Sequence, residues 1–379
     1  MLKKYIYCVV GFCVLLALVL TIISAHGQEA DLEELRKLFG LEEKEAKEAN
    51  GGQWHFTKVD SKGVGTYTSL AFDKDGNPRI SYYDYTNDDL KYAKWTGKAW
   101  EIETVDSKKD VGAYTSLALD KDGNPRISYQ GDSPLLKTVS DLKYAKWTGK
   151  AWKIETVDSE GMVQYTSLAL DKDGNPRISY YGKQDLKYAK WTGKAWKIET
   201  VDSKGSVGAY TSLALDKDGN PRISYQDQTN WDLKYAKWTG KAWKIETVDS
   251  KGSVGSYTSL ALDKDGNPKI CYYDFTNSKL KYAKWTGKAW KIETVSTPWK
   301  CKEDFSLALD KSENPNISFV EDQSGKLKYA KWTGKGWKIE TVRSKGGAEY
   351  PSLAFDKDGN PGIAYFDIYG PSLNYASWK

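Results

Sequence analysis

From residue 53 onward, short runs of alternating apolar and polar residues are separated by turns bearing Gly, Asn and Pro. A period of two predicts strands with one face buried. In one representative stretch the pattern predicts strands over Ser259–Asp263, Lys269–Asp274, Leu280–Thr286 and Trp290–Val295, all rich in Val, Ile, Thr, Tyr and Trp. The same four-strand pattern recurs along the chain. The string Ser-Leu-Ala-(Phe/Leu)-Asp begins at Ser69, Ser116, Ser167, Ser212, Ser259, Ser306 and Ser352, at spacings of 47, 51, 45, 47, 47 and 46 residues. Four antiparallel strands in a repeat of this length predict one blade of a β-propeller, and seven copies predict seven blades.

The fourth strand shows how the ring closes. A Trp-x-Ile-x-Thr-Val segment follows the first six copies, at Trp100, Trp152, Trp196, Trp243, Trp290 and Trp337, and is missing after the seventh. A matching segment, Trp54 to Asp60, stands directly before the first copy. The expected fold is therefore an all-β, seven-bladed propeller of four-stranded antiparallel blades, in which the N-terminal strand completes the last blade and leaves no open end. Small residues such as Ser69 and Ala71 suit the crowded axis. Trp in the third and fourth strands, as at Trp95 and Trp100, suits the wider spaces between diverging blades. Fourteen of the 16 Trp obey this repeat.

The blades resemble those of prokaryotic secreted and surface propellers with repeats of the form SLAxDxxGNPxISYYD…LKYAxW…W. The resemblance covers Gln53 to Lys379. The blades differ from WD40 repeats, since Trp95 is followed by Thr96-Gly97, and they lack the paired Gly of kelch blades. The resemblance implies a binding or scaffold module, and many propellers of similar build are lectins. It supplies no site residues.

Before the repeats, residues 1–27 read as a signal peptide or membrane anchor. Lys3 and Lys4 precede a charge-free run over residues 6–25 that is long enough to span a bilayer. A cleaved signal and a retained tether both place the remainder outside the cytoplasm, secreted or held at the cell surface. Residues 28–52 read as a helical spacer and Gly linker. Asp31 suits an N-cap, Leu32, Leu35 and Phe39 fall at helical spacing, and Asn50-Gly51-Gly52 ends the run.

Composition narrows the function. The net charge is +5 between 56 basic and 51 acidic side chains, which gives no reason to expect a nucleic-acid partner. Of the two His, only His55 follows the export segment. No Ser-His-acid or Cys-His set can be assembled, so no catalytic residues are assigned. Paired carboxylates of a glycoside-active enzyme are the alternative. The Asp73-Lys74-Asp75-Gly76 loop reads as a hairpin turn and not a calcium loop, since Gly stands fourth and a strand begins at Pro78. No metal or cofactor is expected. Cys271 and Cys301 depart from the repeat in adjacent blades, and both a disulfide and two separate thiols are open to them.

Antiparallel order places the near-invariant DKDGNP and WTGKAW hairpins on one rim. The variable connections lie on the other, which is the expected binding face. Two Trp that break the repeat, Trp231 and Trp299, fall there as candidate stacking platforms, with Tyr85, Phe275 and Tyr369 nearby. Asp84, Asp227, Asp274 and Asp367 share one loop-entry column and could bond sugar hydroxyls or cap turns. The expected partner is a glycan or a surface protein. The oligomeric state is not readable.

Overall fold

The computed structural model describes residues 52–61, 63–131, 140–295 and 301–379. Residues 1–27, expected as a signal or anchor, nearly all of the expected spacer, and Trp299 lie outside them. Within them, 28 strands, β1 to β28 in chain order, form seven four-stranded antiparallel sheets. Blade 1 is β2 (Thr66–Phe72), β3 (Pro78–Asp84), β4 (Asp89–Trp95) and β5 (Trp100–Asp106), ordered from the axis outward. Blades 2 to 6 repeat this order.

Blade 7 takes β26 (Ala348–Phe355), β27 (Pro361–Asp367) and β28 (Ser372–Trp378) from the C-terminus and β1 (Trp54–Asp60) from the N-terminus. Trp54 pairs with Trp378 and Thr57 with Tyr375. Backbone bonds between Gln53 and Lys379, at 2.8 and 3.1 Å, extend the closure one step further.

The core lies between blades rather than within them. The Ile, Tyr and Leu columns, such as Ile80, Tyr82 and Leu90, are buried in every blade, with Phe319 taking the Tyr position in blade 6. At the periphery, Tyr of a third strand meets Trp of the next blade's fourth strand edge-to-face, as for Tyr92 and Trp152 at 5.5 Å. Such pairs add roughly 0.5–1.5 kcal/mol beyond area burial. In blades 1 to 5 the Tyr of the second-strand column also donates to the Asp that ends the preceding blade: Tyr82 to Asp60, Tyr129 to Asp106, Tyr180 to Asp158, Tyr225 to Asp202 and Tyr272 to Asp249, all at 2.6–2.8 Å.

Near the axis the blades are joined by a closed ring of seven hydrogen bonds. Ser69 Oγ accepts from Leu117 N–H, and the same bond repeats from Ser116, Ser167, Ser212, Ser259 and Ser306 to the Leu of the following blade. Ser352 accepts from Leu70 and closes the circle. The small Ser therefore links adjacent first strands and does not fill the axis.

Candidate functional site

The residues that line the axis stand two positions before each of these Ser. In blade 1 the pairing of β2 with β3 shifts register between Thr66 and Ser69, and the same bulge recurs around the ring. A bulge adds one residue to a strand and re-aims its side chain. Here it holds Tyr67, Tyr114, Tyr165, Tyr210, Tyr257 and Tyr350 in the left-handed region, with φ between 49° and 55°. For a bulky residue that conformation costs roughly 1–2 kcal/mol. Six copies of the same strained residue at one radius mark the axis as the place where stability is given up.

The six rings pack side by side. Centroid separations are 4.9 Å for Tyr350–Tyr67, 4.6 Å for Tyr67–Tyr114, 4.7 Å for Tyr114–Tyr165, 4.4 Å for Tyr165–Tyr210 and 4.1 Å for Tyr210–Tyr257. Their phenols interact with one another along the series from Tyr350 through Tyr67, Tyr114 and Tyr165 to Tyr210. Burial pushes the phenols of Tyr67, Tyr114, Tyr165 and Tyr350 up, so they stay neutral donors and acceptors.

Blade 6 breaks the series. Asp304 stands where the other blades carry Tyr, in β22 (Cys301–Leu309), whose register with β23 (Pro315–Glu321) shifts between Cys301 and Phe305. On the variable-rim side of the tyrosine layer lies a cavity of about 370 Å³, lined by five of the six tyrosines, Asp304, Lys302, Glu349, Asp322, Tyr273 and Cys301. Lys302 pairs with Glu349 at 2.9 Å, and Asp304 Oδ2 accepts from the Tyr350 N–H at 3.2 Å. A second cavity of about 240 Å³ lies against the threonines that follow the tyrosines, with Phe305 and Pro351 in blades 6 and 7.

The seams on either side of blade 6 are also altered. From blade 1 to blade 5 this Thr column bonds a Ser of the preceding blade, as Thr115 bonds Ser81 at 2.9 Å and Thr211 bonds Ser179 at 2.8 Å, whereas at the seam of blades 7 and 1 Ala364 takes the Ser position and Thr68 donates to the Tyr350 carbonyl. Between blades 5 and 6 both partners change together, to Cys271 and Phe305, which pack in one apolar cluster. Replacing both partners of a buried hydrogen bond by apolar groups avoids leaving either unsatisfied. Cys301 joins the same cluster. Both cysteines are buried thiols with no disulfide between them. Between blades 6 and 7 only one partner changes: Pro351 replaces Thr, and the buried Ser318 hydroxyl is left without a hydrogen bond.

The loop candidates surround this axis on the variable rim. Trp231 is 51% exposed, Phe275 59% and Tyr369 69%. Trp231 has φ 59°, a position shared by Asp88 and Ser278 in other blades. Its carbonyl accepts the Val254 N–H at 2.9 Å, as that of Asp88 accepts from Val111, which explains the left-handed backbone. The indole itself projects into solvent. Tyr85 is exposed and meets Phe366 of blade 7 edge-on at 5.8 Å.

The four loop-entry carboxylates stand inside their turns and not on the open face. Asp84 accepts from the Thr86 and Asn87 amides and pairs with Lys91 at 2.7 Å. Asp227 and Asp274 make the same set with Asn230 and Lys234, and with Asn277 and Lys281. Asp367 pairs with Arg343 at 2.5 Å. Burial alone would raise the carboxyls of Asp84, Asp227 and Asp274, but these Lys and Asn partners outweigh it and hold all three below the usual range. Among the described residues no group of His, Cys, Asp or Glu is arranged to hold a metal ion.

No protein-family model matches the chain, and no curated protein is detectably similar in sequence. Solved structures are similar in fold. A polysaccharide lyase of the ulvan lyase type is 14% identical, with a TM-score of 0.60 over 85% of this chain and 95% of that one. YCF48 bound to a D1 peptide is 14% identical, with a TM-score of 0.57 over 88% and 96%. A protein of unknown function from Dyadobacter fermentans is 13% identical, with a TM-score of 0.53 over 86% and 99%. At these identities the likeness carries the propeller fold and nothing finer.

Six of the seven axial residues form a tyrosine column that the sequence displays as Tyr-(Thr/Pro)-Ser-Leu-Ala, with Asp304 its one exception. Starting the first strand at Ser hid it. In the structure that strand begins earlier, at Val254 and not Ser259 in blade 5. Comparing the residues just upstream of each Ser across copies would have exposed both the ring and its break.

Proposed function

We propose that the protein is an exported, noncatalytic binding module that recognises glycans on its variable rim, secreted or tethered at the cell surface. The observation that carries this reading is the axial cavity: a ring of strained tyrosines, interrupted once by Asp304, beneath a space of about 370 Å³. That volume lies within the roughly 300–1,000 Å³ range of small-molecule sites. Tyrosine suits sugars because it offers a flat apolar face for a pyranose ring and a hydroxyl for its equatorial oxygens. Trp231, Tyr85, Phe275 and Tyr369 on the loops outside would extend contact along a longer chain.

Binding without turnover fits the electrostatics. A tyrosine base needs a lowered pKa, whereas burial raises the phenols of Tyr67, Tyr165 and Tyr350. His55, the one histidine among the described residues, lies on β1, the outer edge of blade 7.

The test is a panel of soluble oligosaccharides followed by calorimetry. Wild type is expected to bind at least one glycan class without releasing shorter products. Tyr257→Ala and Trp231→Ala should each weaken binding about tenfold, the scale of one lost aromatic stack. Absence of any glycan binding would favour a protein-binding surface scaffold built on the exposed Trp231, Phe275 and Tyr369. Release of unsaturated or reducing ends would overturn the noncatalytic assignment.

A further inference from the structure

We propose that the axial cavity selects ligands carrying a protonated amine, with the ammonium seated in the gap that Asp304 makes in the tyrosine ring. The inference rests on the glycan reading for its preferred ligand, an amino sugar, but its own evidence is separate.

Three carboxylates, Asp304, Asp322 and Glu349, face this cavity with one ammonium, Lys302. Lys302 is already held by Glu349 at 2.9 Å. Apart from Cys301 the remaining lining is aromatic, and burial keeps Tyr67, Tyr165 and Tyr350 neutral, so the negative faces of their rings add attraction for a cation without adding charge. A carboxylate set among aromatic rings is the arrangement that recognises ammonium groups. An anionic ligand would meet the opposite field, and a neutral one would leave the acidic side of the cavity unused.

The asymmetry sharpens the assignment. A seventh tyrosine would have closed a uniform ring with no preferred direction. Asp304 instead opens it between Tyr257 and Tyr350, at a blade whose two flanking seams are also rebuilt. The Asp304 carboxylate is oriented from behind by the Tyr350 N–H, a bond that an asparagine could still accept. The axial site is therefore single and polar on one side, even though the scaffold repeats seven times.

The experiment compares glucosamine oligomers, their N-acetylated counterparts and tetramethylammonium by calorimetry near neutral pH, on wild type, Asp304→Asn and Asp304→Tyr. Wild type should bind the free amine at least tenfold more tightly than the acetylated oligomer, and Asp304→Asn should erase that preference. Asp304→Tyr restores the residue that six blades already carry, so the variant should fold. It should lose the amine preference as well. Equal affinity for both oligomers would overturn this inference while leaving glycan recognition intact. Binding of tetramethylammonium, lost in Asp304→Asn, with no affinity for either oligomer would uphold the cation site and overturn the sugar. No binding of any of the three would overturn this inference, and the glycan reading would then be decided by the wider oligosaccharide panel.

Discussion

A tyrosine in the left-handed region is retained only where its surroundings hold it there, and six such tyrosines share the axis of this molecule. The strain has a measurable consequence. Tyr165→Ala and Tyr165→Gly both remove the ring contacts with Tyr114 and Tyr210, but glycine alone also relieves the backbone at φ 55°. The glycine variant is expected to be more stable than the alanine variant by about 1 kcal/mol in urea denaturation, although glycine is ordinarily the less stable choice within a strand. The reverse order would mean that the bulge imposes no strain. At this scale the sequence was partly legible. The exposed Trp231 could be singled out because it broke the repeat. The axial tyrosines obeyed the repeat and so did not stand out, and their inward aim depends on a bulge that alternation of apolar and polar residues does not encode. The buried turn carboxylates, Asp84 among them, were legible as a column. What the column does not display is a third partner, a lysine of the neighbouring strand, which is Lys91 for Asp84, Lys234 for Asp227 and Lys281 for Asp274.

The hairpin between the first and second strands is the element that repeats most faithfully, and its chemistry is acid-sensitive. Asp120 Oδ1 accepts from the Asp122 and Asn124 amides, and Asp120 Oδ2 takes the Arg126 guanidinium at 2.7 Å. Arg126 in turn donates to the Trp147 carbonyl at 3.0 Å, tying this hairpin to the next one on the same rim. Burial would raise these carboxyls, but the Asn amides and, in four blades, the Arg outweigh it. Asp73, Asp120, Asp171, Asp216 and Asp356 all lie below their ordinary 3.8. A carboxyl lowered in the folded state stabilises it fully above its unfolded value and loses that contribution as the pH falls through the folded one. The melting temperature should therefore drop progressively below about pH 4, with these five carboxyls contributing in parallel. Asp120→Asn should be less stable than wild type near neutrality and converge on it in acid. Parallel curves for the two proteins down to about pH 2 would show that the hairpin carboxylate carries none of the acid sensitivity. Four strands per repeat and both hairpins were readable from turn chemistry, because Asp-Gly and Gly-Asn steps fix a local geometry that tertiary packing does not override.

At the scale of the whole molecule, one strand decides whether seven sheets make a ring. Counting the Trp-x-Ile-x-Thr-Val segments was enough to predict that Trp54–Asp60 completes blade 7, because a missing strand at one end and a spare at the other have one economical solution. The ligand side was less legible, since the asymmetry that distinguishes blade 6 joins Asp304 and Phe305 to Cys271 of the preceding blade, which meets Phe305 only when the two blades pack. Closure can be tested directly. In β1, Trp54 is buried against Tyr329 of blade 6 and Trp378, and its indole N–H donates to Glu340 at 2.9 Å. A chain beginning at Ser61 would expose the open edge of β28 and remove this aromatic contact between blades 6 and 7. Losing the Trp54 side chain alone should destabilise the fold by about 3–5 kcal/mol, and the unpaired edge should promote association. The truncated protein is expected to melt lower and to self-associate in analytical ultracentrifugation. Adding a peptide of residues 53–60 in excess should restore both the melting temperature and the original sedimentation, since the vacant edge offers one register, set by Trp54 opposite Trp378. A truncated chain as stable as the intact one would mean that the ring of Ser-to-Leu bonds and the inter-blade core suffice, and that strand exchange between the termini is dispensable to the fold.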